Sequence, residues 1–413
     1  MAGNNQSVSD QSEITQKLDA NNIDEHYMKR ALDLARNGFG WTNPNPMVGA
    51  VLVKEGRIIG EGWHTKCGNL HAEREAFAHC TEDPQGATMY VTLEPCCHWG
   101  KTPPCTEAII EHGIARVVVG APDPNPLVAG KGADQLREAG IEVTEGVMLS
   151  QCREINKVFF HFIQTKRPYV VLKYAMTLDG KIATKIGASK WITGETARAH
   201  VHLQRHRFAA IMVGIGTVIS DNPKLTVRLE EYENSKDSSI RTICSWKSKS
   251  TFMKDPFPEV AFSNNPTRIV LDSSLQIPLY ANVVATAREV PTIIATFCAD
   301  PNKISALKAY GCDVVITRER NGKVDLKDLM SKLGERGIDS VYVEGGSTVH
   351  GEFIDLGLVD EVHAYVAPKV FGGTKAPGPI GGKGVKLPTE ALQFTRVKTK
   401  HLGSDVLFEC EVN

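Results

Sequence analysis

Between positions 71 and 105 lie three side chains suited to one metal ion: His71, Cys96 and Cys105. One imidazole and two thiolates make a catalytic zinc set, with the fourth position left for water. Zinc held this way brings the pKa of its water near neutrality, so the chemistry on offer is hydrolytic. Glu73 follows His71 by two residues, where a carboxylate can move protons beside the metal rather than bind it. Two alternatives stay open. A closed structural zinc would take Cys97 or His98 as fourth ligand, and Cys97 could stand in for Cys96. A closed site has no use for a proton carrier, and the Pro95-Cys96 juncture favours Cys96.

Those residues need elements to hold them. The spacing predicts a helix from His26 to Arg36, stopped by Gly38 and Gly40, and then turn chemistry in Thr42-Asn43-Pro44-Asn45-Pro46. A strand over Val48–Val53 and its partner over Arg57–Trp63 form a hairpin across Glu55-Gly56. A helix from Ala72 to His79 then puts His71 and Glu73 at its N-terminus, and a strand from Thr88 to Leu93 delivers Cys96. Cys105 opens a further helix, to His112, where the macrodipole favours a thiolate. Strand Ala115–Val119, helix Ala133–Ala139, strand Ile141–Val147 and helix Ser150–Gln164 follow. Such alternation argues an α/β layer structure with a largely buried sheet. His-x-Glu followed by Pro-Cys and a second Cys is the pattern of zinc deaminases acting on bases, here with a longer loop between the cysteines. His64 lies near this group in sequence, although a lone histidine is more often structural.

Composition bounds the rest. The chain has 413 residues, 42% of them apolar, enough for two domains or three. A net charge of -1, 7% aromatic residues and no basic run argue against a nucleic-acid partner. No apolar run approaches the roughly 18 residues that span a membrane. The polar first 24 residues read as a disordered tail without a signal core, so a cytoplasmic setting is expected, and the ten cysteines read as reduced thiols.

Arg167-Pro168 marks a boundary, with domains expected at 25–166 and 167–413. The second repeats the alternation. Strand Tyr169–Lys173, helix Glu195–Arg207 and strand Ala210–Gly214 lead into it. Strands Arg268–Asp272, Thr292–Thr296, Asp313–Thr317 and Ser340–Val343 continue, with helices Lys303–Tyr310 and Leu326–Gly334 between the later ones. Glu361–Pro368 and Ser404–Glu411 read as two long closing strands joined by a Gly- and Pro-rich connection. The polar stretch at about 230–266 reads as an irregular surface insertion. Val213-Gly214-Ile215-Gly216-Thr217 and Val343-Glu344-Gly345-Gly346-Ser347-Thr348 each follow a strand, where backbone N–H groups can approach a phosphate. Either can equally be a plain tight turn. Ser189-x-Trp191-Ile192-Thr193 suggests a ligand surface, unless Trp191 is core packing.

Taken together, His71-Ala72-Glu73, Glu94-Pro95-Cys96, His98-x-Gly100-Lys101-Thr102-Pro103-Pro104-Cys105, Asn45-Pro46-Met47-Val48-Gly49 and Asp123-Pro124-Asn125-Pro126 resemble the bifunctional riboflavin biosynthesis deaminase-reductases. The resemblance runs from about Asp24 to Glu411; the family commonly has Ser where this chain has Cys97. It implies an N-terminal cytidine-deaminase-like α/β/α sandwich followed by an α/β domain similar to dihydrofolate reductase. It also implies deamination of a diamino-pyrimidine ribotide and reduction of its ribosyl group to ribityl. Zinc on His71, Cys96 and Cys105 and NADPH are the implied cofactors, and a homo-oligomer the implied assembly. Asn45, His64, His98 and Lys101 match deaminase substrate positions. Lys173, Ser189, Arg205, Leu225, Arg228 and Glu344 match the reductase substrate site, Arg205 and Arg228 as a phosphate clamp. Lys173 could instead be a surface lysine at a strand edge. Ala175, Trp191, Thr217, Asp221, Ser273, Gly346, Ser347, Thr348, Val349, His350, Gly351 and Glu352 match the cofactor site. A competing reading keeps only the deaminase, with a degenerate second domain; another is a non-enzymatic nucleotide-sensing module.

Overall fold

The computed structural model describes residues 22–99, 103–232, 234–244 and 264–412. These fall into two compact units that part between Gln164 and Thr165.

The first unit contains α1 (22–35), β1 (Gly49–Lys54), β2 (Arg57–Trp63), α2 (Ala72–Ala78), β3 (Thr88–Leu93), α3 (Cys105–Glu111), β4 (Arg116–Ala121), α4 (Lys131–Glu138), β5 (Glu142–Glu145), α5 (Leu149–Ile155) and α6 (Lys157–Thr165). Its sheet runs β2-β1-β3-β4-β5, antiparallel through β3 and parallel beyond. Side chains alternate between two cores. Leu52, Met89, Val91, Val117 and Val119 meet α2, α3 and α4 on one face. Val51, Tyr90 and Val118 meet α1, α5 and α6 on the other. Burying each such aliphatic side chain stabilises by roughly 1.5–3 kcal/mol, and burial on both faces explains the unbroken apolar run of β4. Helix α2 can lie close over β2 because position 62 is glycine: a Cβ there would stand 2.3 Å from Ala72 O.

Two differences from the sequence reading have local causes. Helix α1 begins at 22 rather than 26, because Asp24 is buried; it accepts from Tyr90 Oη at 2.9 Å and from both Arg116 Nη atoms. The single helix expected over 150–164 is two, broken at Asn156. That side chain accepts from Met47 N–H at 2.8 Å and donates to Met47 O at 2.9 Å. The amide so engaged fixes the turn carrying Asn45.

The second unit contains β6 (Tyr169–Thr177), α7 (Glu195–Arg207), β7 (Ala210–Gly214), α8 (Ile215–Asp221), α9 (Ser238–Cys244), β8 (Thr267–Leu271), α10 (Asn282–Ala285), β9 (Thr292–Thr296), α11 (Pro301–Ala309), β10 (Asp313–Ile316), β11 (Glu319–Arg320), β12 (Lys323–Val324), α12 (Leu326–Glu335), β13 (Ser340–Gly345), α13 (Ser347–Asp355), β14 (Glu361–Ala367), β15 (Phe394–Leu402) and β16 (Asp405–Val412). Nine strands form one sheet, ordered β10-β9-β8-β7-β13-β6-β14-β16-β15. It is parallel from β10 to β14, and β16 and β15 close it antiparallel. Helices α12 and α13 cover one face; α8, α10 and α11 cover the other, with α7 beside them over the β14 and β16 end.

Here too the sequence reading needs correction. Part of the stretch expected to be irregular forms α9, whose Ile240 is buried against Ala199 of α7 and Tyr232. Strand β15 stands where only a Gly- and Pro-rich connection was expected. Eight of its nine residues are exposed, so no alternation of apolar and polar residues marks it.

Candidate active sites

In the first unit His71 is the N-cap residue of α2, Cys105 is the first residue of α3, and Cys96 follows β3. His71 Nδ1 lies 3.5 Å from Cys96 Sγ and 3.4 Å from Cys105 Sγ. Tetrahedral zinc with one nitrogen and two sulfur ligands sets N···S edges of about 3.5 Å, so the three atoms fit the ion without rearrangement. Cys105 N–H also donates to Cys96 Sγ at 3.4 Å. The side-chain hydrogen bond from the Cys105 thiol, rather than this backbone one, is the main influence drawing the Cys96 thiol down to about 4, against burial; the same thiol–thiol bond pushes Cys105 up.

Glu73 is buried beside this triangle, 4% exposed. Burial first, and the Cys96 charge second, raise its carboxyl above the usual range, which suits a group that must take and return a proton. Cys97 turns its thiol to Leu127 O at 3.7 Å and is not part of the cluster.

The cluster opens into a cleft of about 400 Å³, lined by Asn45, His64, Asn69, His71, Glu73, Cys96, His98, Asp123 and Asn125 among others. His64 Nδ1 donates to Leu70 O at 2.9 Å, which leaves Nε2 to accept from Asn45 Nδ2 at 3.1 Å. Burial lowers His64 to about 4, so the ring is neutral at pH 7 and this tautomer holds. His98 has a buried Nδ1 with no protein partner. Lys101, the expected cation of this site, lies outside the described residues.

Sequence reasoning missed what builds the loops. The buried Glu94 carboxylate accepts from four backbone N–H groups: Asp123 (3.2 Å), Gly130 (3.0 Å), Gly132 (3.0 Å) and Ala133 (3.2 Å). It ties the Cys96 turn to the loop that presents Asp123 and Asn125. Arg74 donates to Pro103 O and Pro104 O, fixing the approach to Cys105. The adjacency of Glu94 to Pro95-Cys96 was the available signal; its four partners lie 29 to 39 residues away.

In the second unit a buried charge cluster spans three elements. Arg205 of α7 pairs bidentately with Glu344 of β13 at 2.6 and 2.8 Å, and Lys173 of β6 lies 3.8 Å from the same carboxylate. Burial alone would push Glu344 up; Arg205 and then Lys173 outweigh it and hold the carboxyl at about 2. Lys173 sits on a central strand, so the edge-lysine alternative falls; burial lowers its pKa, with Glu344 opposing. Arg205 also donates to Thr226 O at 3.1 Å and is committed inside the protein. Arg228 is more open, reaching Thr226 Oγ1 and Glu231 while its backbone N–H donates to His202 Nδ1. The loop carrying it is held by Arg268, fully buried, which donates to Lys224 O, Thr286 O and Oγ1, Val290 O and Thr292 Oγ1. Leu225 is buried with φ +54°, so its backbone rather than its side chain can face a ligand.

A separate cleft of about 290 Å³ brings together Thr217, Ser273, Gly346, Thr348, Val349 and Glu352. Gly216 has open space where a side chain would stand, and Gly346 turns the chain with φ +87° into α13. The first N–H groups of a helix have no partner within it, and such groups can approach an anion. Ser347, His350, Gly351, Ala175 and Asp221 do not line it. His350 is buried between Pro379 O and Val343 O, and a Cβ on Gly351 would strike Gly381, so these two serve packing. Trp191 is 65% exposed beneath the Arg198 guanidinium, which excludes core packing; Ser189 is half-buried in the loop before it.

Residues 21–121 match the model of the cytidine and deoxycytidylate deaminase zinc-binding region, and residues 168–408 match the RibD C-terminal domain. The chain is 50% identical to the riboflavin biosynthesis protein RibD of Actinobacillus pleuropneumoniae, over 94% of both chains. This chain belongs to the RibD family. The RibD of Escherichia coli is 39% identical over 93% of this chain and 98% of its own. Among solved structures, RibD of Acinetobacter baumannii superposes with a TM-score of 0.80 at 33% identity, covering 95% of this chain and all of that one. A Thermotoga maritima protein described as a diaminohydroxyphosphoribosylaminopyrimidine deaminase/5-amino-6-(5-phosphoribosylamino)uracil reductase gives 0.78 at 37%, with the same coverage. Like its RibD relatives the chain is a two-part enzyme of riboflavin biosynthesis, a zinc-binding deaminase followed by a reductase. No helix among its described residues is long and apolar enough to cross a membrane.

Proposed function

We propose that the first unit deaminates 2,5-diamino-6-(5-phosphoribosylamino)pyrimidin-4(3H)-one, and that the second reduces the ribosyl group of the product to ribityl with NADPH. The observation that carries the first half is the His71, Cys96 and Cys105 triangle with buried Glu73 beside it at the floor of a cleft. When bound there, zinc makes water acidic enough to supply hydroxide near neutral pH. With that ion in place, Glu73 would carry one proton of the water to the ring nitrogen and the second to the leaving amine, so that water enters, ammonia leaves and a carbonyl remains. Asn45, oriented by neutral His64, and His98 offer hydrogen bonds to the flat heterocycle, and Lys101 offers a cation to its phosphate.

For the second half, bound NADPH supplies hydride to the anomeric carbon of the opened sugar. Lys173 is the polar group nearest the reacting sugar in this reading. Arg228, with N–H groups still available, takes the substrate phosphate, and Arg205 orients Glu344. The 290 Å³ cleft with its two glycine turns receives the dinucleotide. The domain limits proposed are 25–166 and 167–413, the setting cytoplasmic and the assembly a homo-oligomer.

The test is a coupled assay on metal-analysed protein given the diamino ribotide and NADPH. Ammonia release followed by NADPH oxidation is expected. Ammonia without NADPH loss would refute the second half; neither signal, with one zinc bound, would refute the substrate.

A further inference from the structure

The cleft assigned to the dinucleotide contains one cation. Among its described lining residues only Lys323 and Glu352 carry ionisable side chains; the remainder are glycine backbone, hydroxyls and aliphatic groups. Lys323 belongs to the small β11–β12 hairpin, and its Nζ donates to Glu352 Oε2 of α13 at 2.6 Å. One residue on, Val324 N–H donates to Ser273 Oγ, just beyond β8, at 3.2 Å. The hairpin is therefore tied to two walls of the cleft, and Lys323 is one of its lining residues, its ammonium on Glu352 and half its side chain in solvent.

Neutral N–H donors can cradle a pyrophosphate, but NADH and NADPH present that group identically. They differ in one place, where NADPH carries a phosphate on the adenosine ribose and NADH a hydroxyl. Discrimination needs a group that gains from a dianion and gains little from a hydroxyl. An ammonium does this, and its three N–H donors allow it to hold Glu352 and a phosphate oxygen together. We infer that Lys323 is the residue by which this chain selects the phosphorylated dinucleotide, with Glu352 holding the ammonium in place. The inference rests on the assignment of the cofactor to this cleft.

Isothermal titration of the intact, zinc-loaded enzyme with NADP+ and with NAD+ reads binding apart from turnover. Wild type is expected to bind NADP+ more tightly. Lys323→Met should weaken NADP+ by about tenfold to a hundredfold, the worth of one charge-assisted hydrogen bond, and leave NAD+ unchanged. Lys323→Arg should keep the preference. Glu352→Gln breaks the ion pair but retains the cation, so it should keep the preference too. Equal loss of both dinucleotides in Lys323→Met and Glu352→Gln would overturn the inference, because Lys323 would then be only a strap across the cleft. An unchanged NADP+ to NAD+ ratio in Lys323→Met would overturn it as well. Wild-type protein that binds neither dinucleotide would instead remove the cofactor assignment itself.

Discussion

The two sites follow opposite electrostatic plans. In the first unit, two sulfurs each lie within 3.5 Å of one imidazole nitrogen with a carboxyl buried next to them, a cluster that a divalent cation completes. In the second, Arg205 and Lys173 both pair with the one Glu344 carboxylate inside the protein. Charge that awaits a metal can be written as a short motif, because the ligands need only a helix start and a strand end close in sequence. Charge that is paired inside the fold must be assembled from residues up to 171 positions apart (Lys173 to Glu344), and only the fold brings them together. The first site should therefore fail by losing chemistry, and the second by losing stability.

The largest effect tests the first half of that contrast. Glu73→Gln keeps shape and leaves the three ligands untouched, so bound zinc should stay at one per chain. Deamination should fall about 10²- to 10⁴-fold, the usual worth of a positioned proton carrier. Reduction of supplied deaminated substrate should be unaffected. Ammonia release near the wild-type rate would remove Glu73 from proton transfer.

Glu344→Gln tests the other half. It leaves Arg205 and Lys173 adjacent, nearly buried and without a counter-charge, and breaking a buried pair in this way costs roughly 3–5 kcal/mol. Denaturant unfolding should show the loss in the second unit while ammonia release continues. The pH dependence has a definite sign. The Glu344 carboxyl is held at about 2 in the folded chain against 4.5 ordinarily. Its contribution is thus complete above about pH 4.5 and lost as pH falls toward 2, because the unfolded chain takes up the proton first. Glu344→Gln should flatten that part of the stability profile; an unchanged acid limb would show that Glu344 is not the group that sets it.

Glu94→Gln should have a smaller, local effect. An amide oxygen is a poorer acceptor for four N–H groups than a carboxylate, and the substituted NH₂ must face donors. A loss of about 1–3 kcal/mol is expected, with weaker substrate binding by the deaminase because the Asp123–Asn125 loop loosens. Unchanged deaminase KM would mean the loop holds its place without Glu94.

These predictions follow how far each site could be read from the chain. His71, Glu73, Cys96 and Cys105 were legible because metal chemistry dictates residue type and spacing together. Helix α7 and strands β3, β7 and β9 were legible to the residue, since their apolar patterns end at clear punctuation. Glu94 and Arg268 were not. Each acts mainly on backbone groups, which carry no residue identity, so little in the partners' sequence announces the bond. Strand β15 escaped because pairing with β16 through the backbone demands no apolar face. The commitment of Arg205 to Glu344 was hidden for another reason. An arginine looks the same in sequence whether it clamps a phosphate or neutralises a neighbour.

The smallest expected effect belongs to one of two arginines of the first unit that look alike as ion-pair counts. Arg137 pairs with Asp134 and Glu145, and all three side chains are exposed, Arg137 at 44% and Glu145 at 36%. Arg116 pairs with Asp24 and Glu142 but is three-quarters covered; it donates twice to the buried Asp24 carboxylate and once to Thr144 Oγ1. Solvent screens the first set, and holding long side chains in one geometry offsets most of the attraction, so Arg137→Met should change stability by less than about 0.5 kcal/mol. Arg116→Met leaves Asp24 buried with only Tyr90 as donor, and a loss of about 3–5 kcal/mol is expected, as for any buried pair with one partner removed. Since Asp24 anchors the start of α1, the same variant should make the helix over 22–35 exchange its amide hydrogens faster than α2. Equal stability losses for the two variants would mean that burial does not govern what a charge is worth in this fold.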